Sequence, residues 1–96
     1  MIKGYNSGDY GVAKAGDYGA AIVLHEGIAS VKEKGCAVAF GAKSSAKGGI
    51  GSVLVLTEWD KDCENIIAAK AVIVDGTKIK ADTYYKLKNG KEVLAP

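Results

Sequence analysis

The single histidine, His25, stands beside Glu26 in a stretch between two strand-like segments. An imidazole next to a carboxylate could serve as a general base, but a base needs a nucleophile within hydrogen-bond reach. No such partner stands near it in the chain, so His25 reads as a turn residue. Carboxylates recur at Asp9 and Asp17 in two matching turns, and again at Asp60, Asp62 and Glu64. Such acids could hold calcium, yet the glycine-rich nonapeptide of calcium-binding solenoids is not followed. An EF-hand loop would need a glycine at its sixth place and flanking helices. Both acid sets therefore read as solvated turns. Gly41-Ala42-Lys43-Ser44-Ser45-Ala46-Lys47-Gly48-Gly49 has the composition of a phosphate loop. It lacks the order G-x-x-x-x-G-K-[ST], and no helix is expected after it. Cys36 and Cys63 have no C-x-x-C-like spacing. Two free thiols are the simpler reading, and a disulfide between them is the alternative. The chain is accordingly expected to be no enzyme, with no cofactor and no metal.

The charged residues allow a different role. All 13 basic residues are lysines, against 11 acids, for a net charge of +2. The lack of arginine speaks against specific nucleic-acid recognition, where its planar fork dominates base and phosphate contacts. Lys32, Lys34, Lys43 and Lys47 are expected to form a basic rim, diluted by Glu26 and Glu33. Such a rim would attract an anionic polymer or glycan.

The element that must position these groups is a repeat. A period of eight runs through the N-terminal half, with glycine at Gly11, Gly19, Gly27 and Gly35 and alanine at Ala13, Ala21, Ala29 and Ala37. One extra residue near Phe40 shifts the frame, and the pattern resumes at Ser44 and Ser52. Each unit reads as a tight turn and a short strand. The glycine at its fourth place supplies positive φ or a close backbone approach. A helix is disfavoured, because each such glycine would cost it about 1 kcal/mol.

Strand alternation assigns two faces. Ala13, Ala15, Ala21, Val23, Ala29, Val31, Ala37, Ala39, Leu54 and Leu56 point into the narrow interior of a roll. The outward positions divide by alternate units. One set is mixed: Val12 and Lys14, Ile28 and Ser30, Ser45 and Lys47. The other is apolar throughout: Ala20, Ile22, Cys36, Val38, Val53 and Val55. If two units make one coil, the second set forms an apolar outer sheet, which a monomer should not leave bare. These six residues are the expected oligomer interface, and Cys36 among them has a packing role. The alternative is that the C-terminal strands cover that sheet.

After Trp59 the repeat stops. Ile66–Val74 reads as a long strand, and Asp75-Gly76 as a hairpin turn into Thr77–Lys80. Asn89-Gly90 reads as a second hairpin, between Thr83–Leu87 and Glu92–Leu94. The expected architecture is all-β: a short parallel β-solenoid (a β-roll) over residues 1–59, then a small antiparallel β-meander cap over 60–96, in one continuous domain. Trp59, Tyr84 and Tyr85 are expected to give the alanine roll its bulk.

Gly35-Cys36-Ala37-Val38-Ala39-Phe40-Gly41-Ala42-Lys43-Ser44-Ser45-Ala46-Lys47-Gly48 resembles the head repeats of trimeric autotransporter adhesins. That likeness implies a roll and a homotrimer. The chain has no neck, coiled-coil stalk or membrane anchor of the adhesin kind, so it does not imply surface adhesion. Over nearly its whole length the chain is similar to the C-terminal region of phage and prophage repeat proteins of unknown function. The matching stretches are Ser7-Gly8-Asp9-Tyr10, the run from Ser45-Ala46-Lys47-Gly48 to Glu58-Trp59-Asp60, and Val74-Asp75-Gly76-Thr77-Lys78-Ile79-Lys80-Ala81-Asp82-Thr83-Tyr84-Tyr85. This implies a structural or assembly module of phage type, with a glycan- or polyanion-binding module as the alternative. No signal peptide is recognisable and no apolar run approaches the ~20 residues of a membrane span. The expectation is a soluble chain, cytoplasmic or virion-associated.

Overall fold

Strands of four residues are unstable alone, so each repeat must find its hydrogen-bond partners in the next. The computed structural model, which describes residues 5–8, 11–23 and 27–95, contains ten strands in chain order. They are β1 (Tyr5–Gly8), β2 (Gly11–Lys14), β3 (Ala20–Val23), β4 (Gly27–Ser30), β5 (Cys36–Ala39), β6 (Ser44–Lys47), β7 (Val53–Trp59), β8 (Ile66–Ile73), β9 (Tyr85–Lys88) and β10 (Lys91–Leu94). The protein is all-β, with no helix among the described residues.

The strands form two mixed five-stranded sheets, ordered β1-β3-β5-β7-β8 and β10-β9-β6-β4-β2. Within the repeat the pairing is parallel and skips one strand. Ala20 lies beside Cys36 and Cys36 beside Val53 in the first sheet. Gly11 lies beside Gly27 and Gly27 beside Ser44 in the second. Successive strands thus alternate between sheets, and two units advance the chain by one row. The extra residue at the frame shift is absorbed in the turn after β5, where Phe40 and Gly41 both donate their N–H to the carbonyl of Val23.

The inward row is buried as the alternation requires. Ala13, Ala21, Val23, Ala29, Val31, Ala37, Ala39, Ala46, Leu54 and Leu56 form one cluster with Val74, Ile79, Tyr85 and Leu87, and Ala15 packs against it from a half-buried position. Alanine contributes few methylenes to burial, so the two leucines of β7 and the side chains arriving after residue 70 supply most of the apolar volume.

The turns explain the glycines. At the third place of stacked turns, Tyr18, Lys34 and Gly51 all have positive φ, at 56°, 57° and 84°. The fourth-place Gly35 is required for a different reason. A Cβ there would stand 2.8 Å from the carbonyl oxygen of Gly19 and 2.8 Å from the Cβ of Val31. Ser52, at the equivalent place one row on, is fully buried. Its hydroxyl donates to the Lys32 carbonyl (2.6 Å) and accepts the Gly35 N–H (3.2 Å).

The C-terminal half departs from the expected meander. β8 pairs antiparallel with β7 and lengthens the first sheet, whereas β9 pairs antiparallel with β6 and carries β10 onto the second. The strands after residue 60 are therefore shared between the two repeat sheets. The Asn89-Gly90 hairpin is present between β9 and β10. The one at Asp75-Gly76 is not: no strand covers Thr77–Lys80. Instead the Asp75 carboxylate accepts the N–H groups of Thr77 (2.8 Å) and Ile79 (3.1 Å), and Gly76 donates to the Ile79 carbonyl (3.0 Å). An aspartate that caps its own backbone makes a closed turn instead of a strand connection. Of the three aromatics expected to add bulk, only Tyr85 is buried. Its hydroxyl accepts the Lys80 N–H at 2.9 Å.

Candidate functional site

The outward residues of β3, β5 and β7 stand in register. Ile22, Val38 and Val55 form one row, and Ala20, Cys36 and Val53 the next. All six are half-buried. β8 does not fold over them. It lies beside β7 and continues both rows with Ala71 and Ile73, which face Val55 and Val53. The apolar face thus spans four strands, with Ile73 at 64% exposure on its rim. Burial on this face raises the Cys36 thiol above its ordinary pKa, as suits a small packing residue. Cys36 and Cys63 are both free, Cys63 lying exposed in the turn after β7.

The opposite sheet presents a mixed surface. Ile28 lies beside Ser45, and Ser30 between Lys14 and Lys47. Lys47 sets its ammonium 4.8 Å from the centre of the Tyr84 ring.

The four lysines expected to form a rim are not gathered in one place. Lys32 and Lys34 belong to the turn between β4 and β5, and Lys43 to the turn between β5 and β6. These turns sit at opposite ends of β5, a strand of about 13 Å. Lys34 lies over the Tyr18 ring instead, 5.9 Å from its centre. A separate lysine set does converge. Lys43, Lys61, Lys86 and Lys88 line a cleft of about 300 Å³, together with Thr57, Glu58, Trp59 and Asp60. A second hollow of about 350 Å³ shares Lys43, Ser44 and Lys86 with it and runs on to Ile28, Ser45 and Ala95.

The cleft's fixed parts are held by the frame-shifted turn after β5, the end of β7 and the turn that follows it. The Trp59 indole N–H donates to the Phe40 carbonyl (2.9 Å) and to the Thr57 hydroxyl (3.1 Å). The Phe40 and Trp59 rings meet edge to face, 6.0 Å between centres and 88° between planes. The Glu58 carboxylate accepts the N–H groups of Asn89 (2.8 Å) and Gly90 (2.9 Å), and these bonds hold its pKa below the ordinary value. The Asp60 carboxylate accepts the Glu64 N–H (2.9 Å) and the Asn65 amide (3.0 Å), with the same effect on its pKa. Both acids are committed to shaping turns.

Among the described residues no three His, Cys, Asp or Glu side chains come together as a metal-ligand set. Asp17, exposed, accepts the Glu33 N–H of the next stacked turn at 3.2 Å. Asp9, His25 and Glu26 lie outside the described residues. No family model, curated protein or solved structure matches the chain.

Lys61, Lys86 and Lys88 lie outside the repeat, so the period of eight gives no sign of them. One signal was available: Lys86 and Lys88 alternate with Tyr85 and Leu87, which puts two lysines on one face of a strand.

Among the described residues no helix is long and apolar enough to cross a membrane.

Proposed function

We propose that this protein is a short parallel β-solenoid with a C-terminal antiparallel cap, working as a non-catalytic assembly module that associates with copies of itself. The observation that carries the reading is the pair of apolar rows, Ile22-Val38-Val55-Ala71 and Ala20-Cys36-Val53-Ile73, on one outer face. Solvent-facing rows of this length on a small protein mark an association surface, and the chain's own C-terminal strands pass beside them. The skip-one parallel pairing of β1 to β7 supports the solenoid, and burial of both open rows against other copies would add apolar area that the alanine interior lacks. Three copies around an axis is the arrangement proposed, after the resemblance of the repeat to trimeric adhesin rolls, and a phage or prophage assembly is the proposed setting.

The test is the solution mass by light scattering after size exclusion, at low and high salt. A salt-resistant trimer is expected. The Ile22→Lys, Val38→Lys double variant should run as a folded monomer, because two desolvated ammoniums would face the partner. A parent chain that is already monomeric, or a variant that keeps the parent mass, overturns the interface.

A further inference from the structure

The converging lysines line the cleft at the C-terminal end of β7 and belong to neither of the two apolar rows. The two hollows meet at Lys43, Ser44 and Lys86, so together they form a groove that is longer than either. Four ammonium groups line its first part against two carboxylates. Those carboxylates accept the backbone N–H groups of Asn89, Gly90 and Glu64 and the Asn65 amide, and Glu58 also feels the charge of Lys88. Lys61 and Lys86 make no ion pair with any described residue. The groove therefore carries excess positive charge on flexible stems, beside a tryptophan fixed by two hydrogen bonds and an aromatic neighbour.

We propose that this groove binds a linear anionic polysaccharide, with carboxylate or sulfate groups on Lys61, Lys86 and Lys88 and a sugar ring against Trp59. Three features select this ligand class. Lysine is a compact point charge that suits carboxylate and sulfate without needing a bidentate fork. A tryptophan offers a broad apolar surface beside a polar rim, which matches the apolar face of a pyranose. The groove holds a single aromatic ring, whereas single-stranded nucleic acids are bound on successive aromatic platforms. An open, elongated groove also suits a segment of polymer better than a small enclosed ligand.

Trp59 is the one tryptophan of the chain, so its emission reports on the groove directly. The 96-residue chain would be titrated with an oligogalacturonate, a heparin-derived oligosaccharide, a neutral dextran fragment and a single-stranded oligodeoxynucleotide. Calorimetry with the same four ligands gives a second readout should the emission stay constant on binding. The expected result is saturable, salt-sensitive binding of at least one acidic oligosaccharide and none of dextran. The Lys61→Glu, Lys86→Glu double variant should weaken it by about tenfold or more, since each lost charge-assisted contact is replaced by a repulsion. Lys32→Glu, Lys34→Glu changes the net charge equally on the turn between β4 and β5 and should weaken it by less than about twofold, as distant exposed charges are screened. Absence of binding to both acidic oligosaccharides overturns the proposal. So does an equal loss in the two double variants, or tighter binding of the oligodeoxynucleotide.

Discussion

At the scale of single residues, the stacked turns separate two uses of glycine that look alike in the repeat. The third place needs a left-handed backbone, and Tyr18 and Lys34 adopt it despite their side chains. Such a conformation costs an L-residue about 1–2 kcal/mol. Gly35, at the fourth place of its turn, needs the missing Cβ because its neighbour is a backbone carbonyl that cannot rotate away, whereas the equivalent place one row on carries Ser52. Gly16 opens an equivalent turn, yet nothing lies within 4 Å of a Cβ built there and its φ is not positive. The two glycines should therefore respond in opposite directions. Gly16→Ala is expected to stabilise by about 0.4–1 kcal/mol through the unfolded chain. Gly35→Ala should cost about 1–3 kcal/mol through overpacking. Urea midpoints of the two variants against the parent check this. A tolerated Gly35→Ala would mean that the rows can spread apart without loss.

At the scale of elements, the strands legible in the sequence are those set by the repeat. Alternation of small apolar residues placed β2 to β7 and both their faces, because period two is a local property of the strand. The sheet each C-terminal strand joins was not legible. β8 is a long apolar run and β9 alternates apolar residues with lysines, and neither pattern says which edge is open when the strand arrives, which is a non-local matter. Asp75-Gly76 was misread for a local reason, as the aspartate side chain competes for the backbone donors that a hairpin would have used. The groove was legible only in part, since Lys43, Lys61 and Lys86 come from three elements with no common spacing.

Glu58 ties two of these elements together, reaching from β7 to the turn between β9 and β10. Its folded pKa lies below the ordinary 4.5, first through the Asn89 N–H, then through the Gly90 N–H. A depressed folded pKa means that the charged form favours folding. The contribution is present above the ordinary value and is lost as the pH falls through the lowered one. Asp60, Asp75 and Glu92 are depressed in the same sense, so the parent should lose thermal stability in acid. Glu58→Gln keeps one acceptor and removes the titration. Its melting temperature should lie below the parent's at neutral pH and converge on it in acid, as the pH falls through the lowered pKa. A gap that stays constant from neutral pH into acid would show that the Glu58 charge does not hold the hairpin.

For the whole molecule, the question is which surface grows and which closes. Contact through the apolar face can close around an axis and stop. Contact through a sheet edge adds strands without limit unless something blocks it. The first sheet ends on β8, eight residues long, with Ile66, Ile67 and Ile73 exposed by 44%, 60% and 64%. An apolar strand of this length with so little charge on an open edge fits the pattern of a cross-β seed. Its one charge is Lys70, opposite Leu56 on the inward side of the sheet and 2.9 Å from the Glu92 carboxylate of β10. An inward-set charge on an edge strand is a known guard against edge pairing, because a second strand laid there would have to desolvate it. The exposed ion pair adds little to stability, so its value lies in blocking the edge. Lys70→Val should leave the melting temperature within a few degrees of the parent. It should also make the protein scatter light and bind an amyloid dye at concentrations where the parent stays clear. Ile73→Lys, on the outward side of the same strand, should move solubility the other way. If the Lys70→Val protein stays as clear as the parent, the edge is covered by something other than this charge. The outward contact between copies would then have to extend across β8 itself.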